Sequence, residues 1–340
     1  MHIDCHAHYV PPSLVDALEA RAAEFGLTTV RAMPDAPCAL HFDYGVKLRP
    51  FFPKLIEPLE RRFAGMDAMG VDRQVLSVWA DMFGYGLSAD RGRRWHRFLN
   101  DQLGALTARE PNRFSMLATV PLPDADAAAA ELVYAVQQLG AVGAVLAANV
   151  EGTNLGDLDL DAFWQTACAL DVPVFLHPTQ PMPSTRTAKH ALGQIVQYTF
   201  DTTLTVGSLI FAGVLDRFPT LRLLLSHGGG AFPYLRGRFD VMHARMDRGA
   251  QGDLANHPPS SYVRRFWYDT IVHDASTLQW LAASVGNDRL VLGSDYSFPP
   301  EDRDPLAGVR AAGFTPDLVA RIAGDNARTL FPRLPAAVAQ

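Results

Sequence analysis

Eight short runs of aliphatic and β-branched residues alternate along this chain with longer stretches in which apolar residues recur at helical intervals. We predict that the runs are strands, at residues 1–5, 73–80, 114–122, 142–150, 172–177, 221–227, 266–272 and 289–294. We predict helices at residues 58–69, 91–109, 125–139, 160–170, 203–217, 234–247, 275–285 and 316–331. This alternation in 340 residues predicts an α/β fold, a parallel (β/α)8 TIM barrel. The alternative, an open doubly wound sheet, predicts a glycine-rich turn after the first strand, where His6-Ala7-His8 stands instead.

No Ser/Gly-rich linker, change in composition or internal repeat divides the chain, so we predict a single domain over residues 1–340. With 48% hydrophobic and 19% charged residues, the chain has enough apolar side chains for a large core. Segment 28–54, rich in Pro, Phe and Tyr, is long for a simple connection after the first strand. We therefore expect a small insertion there, folded over the mouth of the active site, and a second one at residues 179–201.

Charge and cysteine content exclude several classes of partner. The net charge is −6, and Lys and Arg are scattered, which gives no footprint for nucleic acid or an anionic membrane. Cys5, Cys38 and Cys168 lie far apart, which argues against a disulfide framework or a thiolate zinc site. Without a membrane-spanning or targeting segment in view, we expect a soluble cytoplasmic protein that binds a small molecule.

Histidines and an aspartate stand at the ends of the predicted strands. Residues two apart in a strand point to the same side, so His6 and His8 can chelate one divalent ion. His177, His227 and Asp295 end or follow the fifth, sixth and eighth strands, and all five side chains would meet at the carboxyl face of a barrel. A lone His-X-His would equally suit loop capping and packing, but the set of five favours a metal site.

The other histidines lack this placement. His41, in the insertion, could contact substrate. For the rest we predict surface or packing roles: His96, His190, His243, His257 and His273.

A series of motifs then follows in order along nearly the whole chain, to about Asn326. They are Asp4-Cys5-His6-Ala7-His8, residues 66–72, Met82-Phe83-Gly84-Tyr85, His177-Pro178, residues 227–233, Gly237-Arg238 and Gly293-Ser294-Asp295-Tyr296. This ordered set resembles the amidohydrolase superfamily, and within it the branch of non-hydrolytic decarboxylases typified by aminocarboxymuconate-semialdehyde decarboxylase. The chain departs from the branch at Thr179-Gln180-Pro181-Met182, where an aromatic residue and an acid are usual, and at Ser297, where proline is usual.

The resemblance implies a role for each residue of the site. It implies one divalent ion, zinc with manganese as an alternative, bound by His6, His8, His177 and Asp295. It implies that His227 is the base and acid beside the metal, with Asp295 also taking part in catalysis. The end of the fourth strand supplies no lysine that could bridge a second metal.

The resemblance also implies how a carboxylate substrate is held. Arg49 and Arg238 align with two arginines that bind substrate carboxylates, the second from the neighbouring subunit of a homodimer. The alternative for each is a surface arginine paired with an acid.

Three functions remain open from the sequence. The first is a metal-dependent decarboxylase of a small unsaturated or aromatic carboxylic acid, with 2-amino-3-carboxymuconate 6-semialdehyde as the leading candidate. The second is a hydratase or hydrolase that uses the same metal and its water on an unsaturated acid, lactone or amide. The third is a non-enzymatic barrel in which the histidines serve stability alone.

Overall fold

The computed structural model describes residues 1–33, 35–179 and 186–336. Its strands are β1 (Ile3–His8), β2 (Leu27–Val30), β3 (Ala39–Phe42), β4 (Arg73–Ser77), β5 (Phe114–Ala118), β6 (Gly143–Ala147), β7 (Asn149–Val150), β8 (Thr153–Asn154), β9 (Val174–His177), β10 (Leu223–Leu225), β11 (Phe266–Asp269) and β12 (Leu290–Val291). Eight of these form one parallel sheet in the order β1-β4-β5-β6-β9-β10-β11-β12. Every residue of these eight strands is buried, as expected for a parallel sheet covered on both faces. The predicted barrel is confirmed.

Helices follow the strands and cover the barrel. They are α1 (Pro12–Arg21), α2 (Leu59–Ala68), α3 (Ala89–Arg109), α4 (Ala125–Gln138), α5 (Asp161–Ala169), α6 (Tyr198–Phe211), α7 (Val214–Arg217), α8 (Phe232–Arg245), α9 (Ala275–Val285), α10 (Pro305–Ala311), α11 (Pro316–Ala320) and α12 (Asn326–Leu330). In α3 the buried side chains Trp95, Phe98, Leu99 and Leu103 recur at three- and four-residue intervals, which gives the helix one apolar face toward the barrel. The predicted last helix, 316–331, is divided by a wider π turn at Arg321–Asp325. None of the helices in the described part of the chain has the length and apolarity needed to cross a membrane.

Most strands end earlier than their apolar runs predict. The second barrel strand, expected to reach Ala80, ends at Ser77, and the eighth, expected over residues 289–294, covers only Leu290–Val291. The residues beyond these strand ends, such as Val78 and Leu292, are buried as well, since the loops at this face are themselves packed. A run of apolar residues therefore indicates which residues are buried, but not where the backbone hydrogen bonds between neighbouring strands end. Only β1 is longer than predicted, and it carries His6 and His8 within the strand.

Two segments at the carboxyl face correspond to the expected insertions. In segment 28–54, β2 and β3 pair as an antiparallel hairpin that begins at Leu27, and Leu48 and Arg49 line cavities at the mouth of the barrel. Of residues 179–201, positions 180–185 lie outside the described residues, including Gln180-Pro181-Met182. The part that is described leads into α6, and Gln194 and Tyr198 line the same cavity as Arg49.

Candidate metal centre and active site

Four side chains from three strand ends converge at the carboxyl face of the barrel. Nε2 of His6 and Nε2 of His8 are 3.2 Å apart, and Asp295 Oδ1 lies 3.3 Å from each of them. His177 joins them, and one ligand atom from each residue lies within 4.8 Å of all the others. Ligand atoms around a tetrahedral zinc ion, with bonds of about 2.1 Å, are about 3.4 Å apart. The geometry therefore suits a single ion, and the predicted set of four residues is brought together.

The second ring nitrogen of each histidine is held by an oxygen atom. Nδ1 lies 2.7 Å from Asp269 Oδ2 in His6, 3.2 Å from the Val78 carbonyl oxygen in His8, and 2.6 Å from the Pro178 carbonyl oxygen in His177. Carboxylate and carbonyl oxygens accept hydrogen bonds, so Nδ1 carries the proton and the Nε2 lone pair is left for a ligand. This arrangement leaves the Nε2 atoms of all three imidazoles available to bind a metal ion.

Two atoms of the cluster lack a partner among the described residues. His177 Nε2 and Asp295 Oδ1 are buried, and neither takes part in a hydrogen bond of good geometry with another described residue. Leaving such a group unsatisfied costs about 1–3 kcal/mol, and more for a charged group. A divalent ion bound between them would satisfy both, so the residues present fit a metal.

The directions of the pKa shifts of His8, His177 and Asp295 also fit a metal site. Burial lowers the pKa of His8, and burial and the neighbouring imidazoles lower the pKa of His177 well below its ordinary value. Burial alone would raise the pKa of Asp295, but His6, His227 and His8 outweigh it and lower the pKa well below the ordinary value. Neutral imidazoles and an ionised carboxylate are the forms that bind metal.

The pKa of His6 shifts in the opposite direction. Burial would lower its pKa, but Asp295 and Asp269 raise it to about 10. These two carboxylates are buried, with relative exposures of 3% and 0%. A buried negative charge is stable only when a cation is near, either a proton on His6 or a metal ion.

Asp269 connects the cluster of four side chains to His227. Besides His6, it accepts hydrogen bonds from the backbone N–H groups of His227 and Gly228, each at 2.8 Å. Asp269 is not among the residues predicted from the sequence. Its position inside a predicted apolar strand was an available signal, because buried acids are rare without a specific partner. The structure places it at the end of β11, where it holds a ligand and the loop of the expected base.

His227 lies beside the four residues but outside their ligand set. Its Nε2 is 3.6 Å from Asp295 Oδ2, and its side chain is 17% exposed, toward the cavity. Its backbone φ is 53°, in the left-handed region that is uncommon for residues other than glycine and that clusters at functional sites. Gly230 allows this turn to pack closely, since a Cβ atom there would collide with the carbonyl oxygen of Thr199. The imidazole is therefore held at the cavity wall, next to Asp295.

A cavity of about 420 Å³ opens above the cluster, a size that suits a small organic ligand. Trp79, Phe298 and Ile271 contribute apolar walls, and His177 and Asp295 lie at its floor. His273, for which we predicted a surface or packing role, is exposed and also lines this cavity.

The two arginines predicted to bind carboxylate differ in their position relative to the cavity. Arg49 lines the cavity, with its guanidinium carbon 4.2 Å from the ring centre of Phe52 and 5.7 Å from that of Trp79. Arg238 lies exposed on α8 and is not among the residues that line the cavity of its own chain.

Comparison with known proteins identifies the family of this chain. The family model for amidohydrolases matches residues 3–333. The chain is 34% identical over 230 residues to 2-amino-3-carboxymuconate-6-semialdehyde decarboxylase of Dictyostelium discoideum, over 67% of this chain and 64% of that protein. It therefore spans slightly less than two thirds of that relative. It is 30% identical over 256 residues to gamma-resorcylate decarboxylase of Polaromonas sp. strain JS666, over 72% of this chain and 78% of that one.

Among solved structures, the chain resembles 5-carboxyvanillate decarboxylase of Sphingomonas paucimobilis. The TM-score is 0.80 at 26% sequence identity, and the match covers 97% of this chain and 98% of the other. The chain therefore belongs to the amidohydrolase family, in the branch whose members include these decarboxylases.

Proposed function

We propose that this protein is a metal-dependent decarboxylase of a small aromatic or unsaturated carboxylic acid, with 2-amino-3-carboxymuconate 6-semialdehyde as the leading candidate. One observation carries the proposal: the buried cluster of His6, His8, His177 and Asp295 faces a cavity that also receives His227 and Arg49. The printed names of the relatives support the reaction class. Three nitrogen ligands and one carboxylate oxygen favour zinc, with manganese as the alternative.

The reaction needs a proton at a defined place. Decarboxylation breaks the bond between carbon and carboxylate, the electron pair stays on that carbon, and one proton must replace the carbon dioxide that leaves. A bound divalent ion would act as a Lewis acid on the substrate or on water. His227 is placed to hold and deliver the proton, because its imidazole faces the cavity and its backbone is fixed by Asp269.

Arg49 is suited to bind the carboxylate of the substrate. No carboxylate within the described residues forms an ion pair with its guanidinium, which is held by the faces of Phe52 and Trp79. A planar guanidinium fixed by stacking can donate two parallel hydrogen bonds to a carboxylate.

Replacing Arg49 with methionine is expected to raise KM about 10- to 100-fold with a smaller change in kcat, because a charge-assisted hydrogen bond contributes about 1.5–3 kcal/mol. Steady-state kinetics on the decarboxylated substrate would measure this. Arg31, in the same insertion, is paired with Glu19, so Arg31→Met is the matched control and should leave KM unchanged. An unaltered KM in Arg49→Met would show that this side chain does not bind the substrate.

Carbon dioxide release distinguishes decarboxylation from the second candidate, hydration or hydrolysis by the same site. Metal-loaded protein would be incubated with 2-amino-3-carboxymuconate 6-semialdehyde and with hydroxybenzoates labelled with ¹³C in the carboxyl group. Labelled carbon dioxide is the expected product. A product that gains the mass of water and keeps the label would instead support a hydratase or hydrolase.

We also propose that the protein is a homodimer and that Arg238 acts in the site of the partner. The two helices near Arg238 leave large apolar side chains exposed, Phe200 and Leu204 on α6 and Tyr234 and Val241 on α8. Exposed apolar side chains on neighbouring helices are typical of a protein interface. A second copy over this face would bring the otherwise unused Arg238 toward a cavity.

Complementation between two inactive variants would test Arg238. Each homodimer should be inactive, because Arg238→Ala lacks the arginine in both sites and His177→Ala lacks a proposed metal ligand in both. In a mixed dimer, the Arg238→Ala subunit keeps its metal ligands and receives Arg238 from the His177→Ala subunit. Random mixing should restore roughly a quarter of wild-type activity, because half of the dimers are mixed and each has one complete site. Light scattering would check that both variants are dimers. Dimers that mix without recovering activity would argue against a role in the partner's site, and monomers would argue against the dimer.

A further inference from the structure

A buried arginine contacts two of the segments that carry the proposed ligands and does not line the cavity. Arg62 of α2 has no exposed surface. Its Nη1 donates hydrogen bonds to the carbonyl oxygen of His8 at 2.9 Å and to Ser297 Oγ at 3.0 Å, and its Nε donates to Gln74 Oε1 at 2.8 Å. Burial lowers the pKa of Arg62 to about 10, so the guanidinium stays charged at neutral pH. The side chain of Arg62 therefore contacts the backbone of one proposed ligand, His8, and the loop that follows another, Asp295.

This arginine spans the seam where the barrel closes. β12 has only two residues, and no ladder of strand pairing joins it to β1 among the described residues. Four backbone hydrogen bonds connect β1 with the residues after β12: Cys5 N–H to Leu292 O and Asp295 N–H to His6 O at 2.8 Å, His8 N–H to Tyr296 O at 3.2 Å, and Ser294 N–H to His6 O at 3.4 Å. Three of the four proposed ligands lie on the two sides of this seam. Their spacing therefore depends on whatever else holds β1 against the loop after β12.

Buried polar side chains supply that connection. Gln74 donates from Nε2 to Asp4 Oδ2 at 2.9 Å, and Ser294 Oγ donates to the same oxygen at 2.6 Å. With the bond from Arg62 to Gln74, this forms a continuous chain from α2 through β4 and β1 to the residue before Asp295.

Ser297 completes the connection on the other side of Asp295. Its Oγ donates to the His8 carbonyl oxygen at 3.0 Å and accepts from Arg62. Its φ is 109°, which a proline could not adopt because the pyrrolidine ring holds φ near −65°. Serine in place of the usual proline thus allows a loop conformation whose hydroxyl reaches His8.

We propose that Arg62, assisted by Ser297, is a positioning residue that sets the metal affinity of the site by holding His8 and Asp295 at ligand distance across the seam. The inference rests on the proposed metal site. The groups that orient metal ligands commonly change affinity 10- to 100-fold when they are removed.

Arg73 provides a matched control for the loss of a buried guanidinium. It is 1% exposed and also donates three hydrogen bonds, to Phe114 O, Ser115 Oγ and Pro111 O. It lies at the amino end of β4, while the metal cluster lies at the carboxyl face, and none of its partners belongs to a ligand-bearing segment.

The test compares zinc affinity, by competition with a chromogenic chelator, in wild type, Arg62→Met and Arg73→Met, together with thermal unfolding of the metal-free proteins. We expect both variants to lower the Tm of the metal-free protein, and only Arg62→Met to weaken zinc binding, by about 10- to 100-fold. Equal zinc affinity in Arg62→Met and wild type, or an equal loss in Arg73→Met, would overturn the proposal. A wild type that binds no zinc or manganese would instead refute the metal site itself.

Milder variants keep the test decisive if Arg62→Met does not fold. Ser297→Ala removes one hydroxyl and should weaken zinc binding by about 2- to 10-fold, the effect of one neutral hydrogen bond. Arg62→Lys keeps the charge but loses the planar guanidinium that bonds Gln74, His8 and Ser297 together, so it should bind zinc less tightly than wild type. Wild-type affinity in both Ser297→Ala and Arg62→Lys would contradict the proposal.

Discussion

Replacing His177 with alanine is expected to reduce bound metal from about one ion per chain to nearly none and to lower kcat/KM by at least about a thousandfold. A catalytic metal contributes several kcal/mol to the transition state, and each 1.4 kcal/mol is a factor of ten in rate. Among the four proposed ligands, His177 comes from a strand distant from β1 and β12, so its loss leaves three of them on one side of the barrel. Metal analysis of the purified variant would measure the first effect and steady-state kinetics the second.

His96 is the control for this experiment, because it is also buried, with 1% relative exposure, but lies on α3 and outside the metal cluster. His96→Ala should lower the Tm, since it leaves a cavity, and should keep the metal. A full complement of metal in His177→Ala would show that the ion is not bound where we propose.

Replacing His227 with asparagine is expected to lower kcat by about 100- to 10,000-fold while the metal is retained, because proton transfer by a positioned side chain contributes a factor of this size. Asparagine is chosen because it tolerates the left-handed backbone of this position, where φ is 53°. Metal content and kcat would be measured on the same preparation. The combination of normal metal and low kcat separates a proton-transfer role from a ligand role.

His273→Asn is the matched control, since His273 has a φ of 54° and lines the same cavity. It should retain most of kcat. If His227→Asn loses its metal, His227 is a ligand, and if it keeps both metal and kcat, the proton comes from another group.

The barrel fold and the side chains that meet at its carboxyl face could be predicted from local patterns in the sequence. The alternation of strand-like and helical runs predicted the barrel, because each element is specified by the period of its own apolar residues. The placement of His6, His8, His177, His227 and Asp295 at strand ends then predicted their convergence, because the carboxyl ends of all parallel barrel strands meet at one face. The strand limits were less accurate, since residues such as Val78 and Leu292 are buried in loops as fully as in strands.

The groups that support these ligands could not be predicted in this way. Asp269 binds His6 across 263 positions of sequence, and Ser297 binds the carbonyl of His8 across 289. Nothing in the sequence marks Arg62 among the charged residues of its helix, and its bonds to Gln74, His8 and Ser297 appear only in the folded chain. For Arg49 the resemblance implied a role in binding the substrate carboxylate, but its contacts with the faces of Phe52 and Trp79 could not be predicted.

By itself, the sequence determined which strands form, which way they run, and therefore which side chains meet at one end of the barrel. Only the tertiary structure decided how tightly those side chains are held, which acid orients His6, and which arginines face the cavity, the seam or solvent. The physical reason is the separation along the sequence between the residues that interact. Periodicity depends on neighbours within a few residues, while the hydrogen bonds that orient a ligand exist only after barrel closure brings distant segments such as β1 and the loop after β12 together.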